Sequence, residues 1–235
     1  LDFQDANNRH GVQLNVICVK WGDKYGSDYV ERLSRGVMRN LPIEHDFICM
    51  TDKPVRGFNC IPLASDLPSW WSKLAIFKPG LFTGECLYLD LDVIITDSLL
   101  PLVALLYQSP GLWVRDDFSY SIHRQRPDLS AEFKLMLGGE GTVNSSVMLW
   151  REDAARAVWE EFDPASMKVL HGDQNWISKL LWPRGGIQLI PDDLVCSYKY
   201  HVMRNLPVAP VVVFHGDPKP ADLSRHDPLR QLWER

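Results

Sequence analysis

The chain has 235 residues, 46% of them hydrophobic, which suits one large α/β domain with a sizeable core. A net charge of −5, with lysines and arginines scattered along the chain, leaves no electrostatic footprint for nucleic acid. No apolar run approaches the ~18–20 residues that span a bilayer, so no transmembrane segment is expected. Five cysteines without a C-x-x-C pair read as small buried thiols of a reducing cytosol, not as a disulfide or zinc framework, and a cytoplasmic location is expected.

Leu1 to Gly11 is polar and is expected to be a flexible N-terminal segment, with a single domain over residues 12–235. Val12 to Val19 reads as a buried first strand, broken by the loop Trp21-Gly22-Asp23-Lys24-Tyr25-Gly26. Ser27 is placed to N-cap a helix through about Arg39, because Val30, Leu33, Val37 and Leu41 fall near one face. Asp46 to Met50 is a second strand running into Thr51-Asp52, and Asn59 to Leu63 a third. Ser69 to Phe77 reads as a helix carrying Trp70, Trp71 and Lys73, and Glu85 to Leu89 as the strand that delivers Asp90. This β–α alternation predicts an open, mainly parallel sheet flanked by helices. Such sheets bind ligands at the carboxyl ends of their strands, so the first loop, the second loop and Asp90 should gather on one edge.

The second half is less regular. Gly111 to Val114 is strand-like, and Phe118 to Gly141 is polar and glycine-ended, as in a loop or lid with a short helix. Val143 to Trp150 reads as a strand, Glu152 to Phe162 as a helix, and Gly172 to Leu181 as a helix opening on Gly172-Asp173-Gln174. Ile187 to Ile190 is strand-like, and Val211 to Phe214 is a last buried strand before His215-Gly216-Asp217-Pro218-Lys219-Pro220. No internal repeat or low-complexity segment is present.

The chemistry centres on Asp90 and Asp92, which interrupt an apolar run of Leu89, Leu91 and Val93. Carboxylates stay in such surroundings when they are paired or bind a metal, and their oxygens suit hard cations such as Mn²⁺ or Mg²⁺. On a regular strand both would point to one face. Where the strand end turns, one takes the metal and the other acts through water or a ribose; both arrangements are open. His215, directly after an apolar strand, is either an added imidazole ligand for Mn²⁺ or a structural histidine. Gly216 permits close backbone approach, and Lys219 can neutralise a diphosphate. Asp173 is favourable at a helix start on dipole grounds alone, and Asn144-Ser145-Ser146 reads equally as a plain turn. Trp70, Trp71, Trp150, Trp176 and Trp182 could stack on sugar rings, although core packing accounts for most such residues.

Together these motifs resemble the GT-A-fold glycosyltransferases of family 8, which include glycogenin and the lipopolysaccharide galactosyltransferases. Leu87-Tyr88-Leu89-Asp90-Leu91-Asp92 is similar to the family's D-x-D motif, and Asn144-Ser145-Ser146 to its asparagine–serine–glycine strand opening. Gly172-Asp173-Gln174 resembles its G-D-Q turn, and His215 to Pro220 its histidine-to-lysine ending, with an interval two residues shorter. The resemblance covers about residues 14 to 220 and implies a Rossmann-like, mostly parallel sheet of the nucleotide-diphospho-sugar transferase type. It implies Mn²⁺ (or Mg²⁺) on Asp90, Asp92 and His215, bridging the phosphates of a UDP-linked sugar. Lys73, Leu91, Gly216 and Lys219 would contact the donor, with Trp21, Asp23 and Tyr25 on its base and ribose, assisted by Thr51 and Asp52. Asn144, Asp173 and Gln174 would face the sugar and a glycan or other hydroxyl acceptor, with retained anomeric configuration.

Two other readings compete. In a haloacid-dehalogenase-type Mg²⁺ phosphatase the same two acids are nucleophile and acid/base, but that motif ends the first strand of its domain, and at least two βα-like units precede Asp90. In the other, the fold persists as a catalytically silent module that binds a nucleotide-sugar or glycan.

Overall fold

The computed structural model describes residues 13–63, 66–118 and 142–235. The expected N-terminal segment, and the expected lid beyond Phe118, lie outside the described residues. The first strand, β1 (Leu14–Lys20), is LNVICVK, almost wholly buried. Its side chains alternate between two layers: Leu14, Val16 and Cys18 enter one core and Ile17 the other. β2 (Asp46–Thr51), β3 (Asn59–Pro62) and β4 (Glu85–Leu89) follow the same logic, and β1 pairs in parallel with both β2 and β4. Helix α1 (Ser27–Asn40) covers the first face with Val30, Leu33 and Val37. Ser27 is its first helical residue, and Gly26 takes the cap position without a side-chain bond.

Ser69–Phe77 winds as a 3₁₀ helix and buries Trp71 and Leu74 to Phe77 against the second face. Pro68 precedes it, and Ser69 sits at φ 54, so the chain enters through a turn that no α-helical start provides. Beyond β4 come β5 (Ile94–Ile95), α2 (Leu100–Val103), β6 (Leu112–Asp116) and β7 (Val143–Arg151). The expected helix from Glu152 contracts to α3 (Ala157–Glu160). Glu152 adopts φ 48 and its N–H donates to the Gly84 carbonyl at 2.8 Å, so a turn leaves β7 before any helix can begin. Helix α4 (Asp173–Leu181) packs Trp176, Ile177, Leu180 and Leu181 into the second core. β8 (Ile187–Leu189), β9 (Val195–Ser197), β10 (Val211–Val213) and α5 (Pro228–Glu234) complete the described chain.

The main sheet runs β3-β2-β1-β4-β7-β6-β8, and a small second sheet runs β5-β10-β9. Among the described strands of the main sheet only β7 opposes its neighbours, being antiparallel to both β4 and β6, while β5 opposes β10 in the small sheet. That reversal brings the start of β7 to the edge where the parallel strands end. The Asp90 N–H donates to the Ser146 carbonyl there at 2.8 Å.

Candidate active site

At that carboxyl edge lies a cavity of about 380 Å³. Its walls include Trp21, Tyr25, Lys73, Asp90, Leu91, Asp92, Asn144, Asp173, Gln174, His215 and Lys219. These residues come from the β1 loop, the 3₁₀ helix, the end of β4, the start of β7, α4 and the segment after β10. Of the residues expected from sequence, Asp23, Thr51, Asp52 and Gly216 are not in the lining. Asp52 accepts the Gly22 N–H at 3.2 Å and Asp23 pairs with Lys53 at 2.7 Å, while the Thr51 hydroxyl donates to the Lys53 carbonyl at 2.8 Å. The three therefore shape the loops beside the cavity. Gly216 follows His215 at φ 64, and a Cβ there would lie 3.0 Å from Lys199 Nζ.

Lys73 is the hub. Its Nζ lies 2.9 Å from Asp90 Oδ1 and 3.4 Å from Asp173 Oδ2, and it donates to Ser145 Oγ at 3.1 Å and to the Ser145 carbonyl at 3.3 Å. Ser145 Oγ in turn donates to Asp173 Oδ2 at 2.6 Å. Asp90 Oδ1 also accepts the Tyr88 hydroxyl at 2.6 Å. Burial alone would depress the Lys73 ammonium, but Asp173 and Asp90 outweigh it and hold its pKa above the ordinary value. Burial likewise pushes Asp90 up, and the adjacent Lys73 charge and the Tyr88 bond bring it out below the usual carboxylate range.

Asp92 has a different balance. Its Oδ2 accepts from Lys219 Nζ at 2.6 Å and from the Tyr25 hydroxyl at 2.7 Å. Burial and the charge of Asp90 still leave it raised above the usual range. Burial and Asp92 also push the Tyr25 phenol up, so it remains a donor. His215 stands slightly apart: Nε2 is 2.7 Å from Ser197 Oγ, and the ring stacks between Phe118 at 5.7 Å and Tyr200 at 5.3 Å. Burial and the charge of Lys199 lower its pKa, which favours neutral imidazole.

Among the described residues, no group of three or more His, Cys, Asp and Glu side chains is gathered closely enough to hold a metal. The Asp90–Asp92 pair nevertheless fits a divalent cation in its donor chemistry. Burial first and the charge of Asp90 second push Asp92 up, and a doubly charged cation between the two carboxylates would relieve both. The His215 imidazole is engaged by Ser197 and does not join the pair. Tyr88 and Ser145, which bond the site carboxylates Asp90 and Asp173, are not among the residues expected from sequence. Tyr88 lies two positions before Asp90, on the same strand face, and a buried phenol needs a partner. Ser145 lies within the Asn144-Ser145-Ser146 segment, which reads equally as a turn.

No protein-family profile matches this chain, and no curated protein does. Solved structures do match, and together with the topology they define the class: the chain adopts the GT-A fold found in glycosyltransferases. The galactosyltransferase LgtC, solved in complex with donor and acceptor sugar analogs, superposes with a TM-score of 0.62. The match covers 93% of this chain and 95% of LgtC at 19% identity. GlyE of Streptococcus pneumoniae TIGR4 matches with a TM-score of 0.64 at 16% identity over 93% of this chain, which spans 59% of GlyE. The bifunctional glycosyltransferase WbbM gives a TM-score of 0.62 at 12% identity, and the chain spans 47% of it. The phosphatase reading required the D-x-D acids to end the first strand; they end β4, the fourth. No described helix is long and apolar enough to cross a membrane.

Proposed function

We propose that this protein is a glycosyltransferase that moves a sugar from a nucleotide-diphosphate donor, a UDP-sugar, to a hydroxyl on a glycan or other acceptor, with retained anomeric configuration. The observation that carries the reading is the convergence of Lys73, Asp90, Asp92, Asp173 and Lys219 in one cavity at the carboxyl edge of a GT-A sheet. A cavity of about 380 Å³ is of ordinary size for a small-molecule site.

In this reading Asp90 and Asp92 hold Mn²⁺ or Mg²⁺, with His215 as a third ligand after its ring leaves Ser197. When bound, the cation supplies Lewis-acid stabilisation of the departing diphosphate. Glycosyl transfer passes through an oxocarbenium-like state, so stabilising the leaving group matters more than a strong base. Lys219 and Gly216 receive the phosphates. Trp21, Tyr25 and Leu91 border the nucleoside, with Asp23, Thr51 and Asp52 shaping that side. Lys73 fixes Asp90 and Asp173 against each other, so the carboxylates keep their spacing as charge develops. Asn144, Asp173 and Gln174 face the transferred sugar. An active-site glutamine-to-glutamate mutant of LgtC is among the structural neighbours, which puts a glutamine in that protein's active site and lends support to Gln174 for that role here. Five free thiols suit a reducing, cytoplasmic setting.

The test is nucleotide release from UDP-, GDP- and ADP-sugars with Mn²⁺, read alongside thermal shift. The reading expects one donor to raise the melting temperature and to release its nucleoside diphosphate. No shift and no release with any donor would overturn it, as would turnover of a simple phosphate ester without a sugar donor.

A further inference from the structure

We propose that Lys219 is a resident counter-cation that occupies the metal position on Asp92 until a diphosphate draws it away, so that divalent cation and nucleoside diphosphate load together. The proposal rests on the reading given above and concerns how that site fills.

The two lysines of the cavity are held differently. Lys73 is buried and bonded to oxygens of Asp90, Ser145 and Asp173, which come from three separate segments. Moving it would strand two carboxylates at once. Lys219 sits on the loop after Gly216, with its side chain 16% exposed. Its Nζ has one charged partner, Asp92 Oδ2 at 2.6 Å, and one carbonyl, that of Phe214, at 3.4 Å. Its backbone is anchored separately, because the Lys219 N–H donates to Asp222 Oδ2 at 2.8 Å. The ammonium can therefore swing while the loop stays in place.

The Asp92 oxygen it occupies already takes the Tyr25 hydroxyl at 2.7 Å, which leaves that oxygen fully used. A cation binding through it must displace the ammonium, and the two positive charges would repel at close range in a poorly screened cavity. The displaced ammonium needs an anion within reach of its tether. Arrival of a diphosphate provides that anion, so each ligand lowers the cost of the other, a reciprocal coupling.

The experiment measures Mn²⁺ binding by the electron paramagnetic resonance signal of free Mn²⁺, with and without UDP, for wild type, Lys219→Met and Lys219→Arg. Wild type should bind Mn²⁺ weakly alone and at least about 30-fold more tightly with UDP, within the usual range of coupling. Lys219→Met should bind Mn²⁺ alone about ten-fold more tightly than wild type, which a lysine serving only as a phosphate contact would not cause. Lys219→Arg should keep the weak binding of wild type. Lys219→Gln replaces the methionine variant if circular dichroism shows that the latter is misfolded. Equal or weaker binding of Mn²⁺ alone in the neutral variants overturns the proposal, while UDP-enhanced binding in wild type leaves the functional reading standing. Absence of Mn²⁺ binding in every variant, with UDP, GDP or ADP present, overturns both.

Discussion

Lys73→Met removes one charge and leaves the side-chain stem in place, which makes it the sharpest probe of the site's construction. The ammonium serves Asp90 at 2.9 Å and Asp173 at 3.4 Å. Breaking a buried ion pair by deleting one partner costs about 3–5 kcal/mol, because the other charge stays buried without its counterion. The two carboxylates do not share that cost equally. Asp90 keeps the Tyr88 hydroxyl, and its side chain is 24% exposed, so water screens part of its charge. Asp173 is 7% exposed by its side chain and keeps the Ser145 hydroxyl at 2.6 Å. Most of the penalty therefore falls on Asp173, and the lower end of the range, about 3 kcal/mol, is expected. In a chain of this size that lowers the melting temperature by about 6–12 °C.

The assay is urea unfolding followed by far-UV circular dichroism at pH 7, with Asp173→Asn and the double variant completing a cycle. Since Asp173→Asn removes the stranded charge, the double variant should recover more than half of the loss. The sign of the pH dependence follows from the two shifts. Lys73 is raised in the folded state, so its contribution is complete below the unfolded lysine value, about 10.4, and fades only as pH climbs through the folded one. Asp90 is lowered, so its contribution is present above about 3.9 and is lost as pH falls through its folded value. The gap between wild type and Lys73→Met should be flat from pH 6 to 9 and narrow in acid. A loss under about 1 kcal/mol, well below the range for a buried pair, or a double variant as unstable as Lys73→Met, would refute the reasoning.

Asp92→Asn should abolish nucleotide release from the donor while leaving stability at pH 7 unchanged or higher. Its carboxyl is raised by burial and by Asp90, so the charged form costs the fold free energy at neutral pH, a cost that falls away as pH drops through the folded value. A melting temperature several degrees below wild type would contradict this. Gly172→Ala tests the opposite wall. An added Cβ would lie 3.0 Å from Trp70 Cδ1 and Nε1, yet Gly172 is fully extended at φ −178, so the backbone tolerates alanine. The exposed indole should swing aside at a stability cost below about 1 kcal/mol, in the range of a small surface repacking, with sugar transfer to an acceptor reduced several-fold in a product assay. Transfer at the wild-type rate would remove Trp70 and Gly172 from the working surface.

The first half of the fold was readable because β1 and β4 are buried on both faces. LNVICVK and ECLYL are near-continuous apolar runs, and α1 repeats its apolar residues at helical spacing. The same burial made Asp90 and Asp92 conspicuous. Other features left no such trace. β5 has two residues and β9 three, too short for any period to register, and both owe their pairing to β10. Nothing in Val143-Asn144-Ser145-Ser146 announces that β7 runs antiparallel to its neighbours. Ser197 meets His215 only because β9 lies beside β10. α5 was legible and missed: Asp227 caps it by accepting the Leu229 N–H at 2.8 Å, ahead of Pro228 at its first position.

The charge count of the cavity connects these observations. Three carboxylates, Asp90, Asp92 and Asp173, are bonded to two ammoniums, Lys73 and Lys219, so within that bonded network one negative charge is in excess, with Lys24 a third lysine on the cavity wall. Asp90 and Asp92 also accept from phenols, those of Tyr88 and Tyr25, which satisfy oxygen lone pairs without adding positive charge. Both phenols are pushed further from ionisation by burial and by the acids they serve, so they stay neutral donors. A diphosphate approaching the bonded acids alone meets their excess negative charge. It becomes a favourable ligand when a divalent cation comes with it, which turns the excess of one negative into an excess of one positive. On the proposed reading, then, tyrosines where further lysines or arginines could have stood keep the network around Asp90 and Asp92 locally negative when empty, which favours a cation at those two acids.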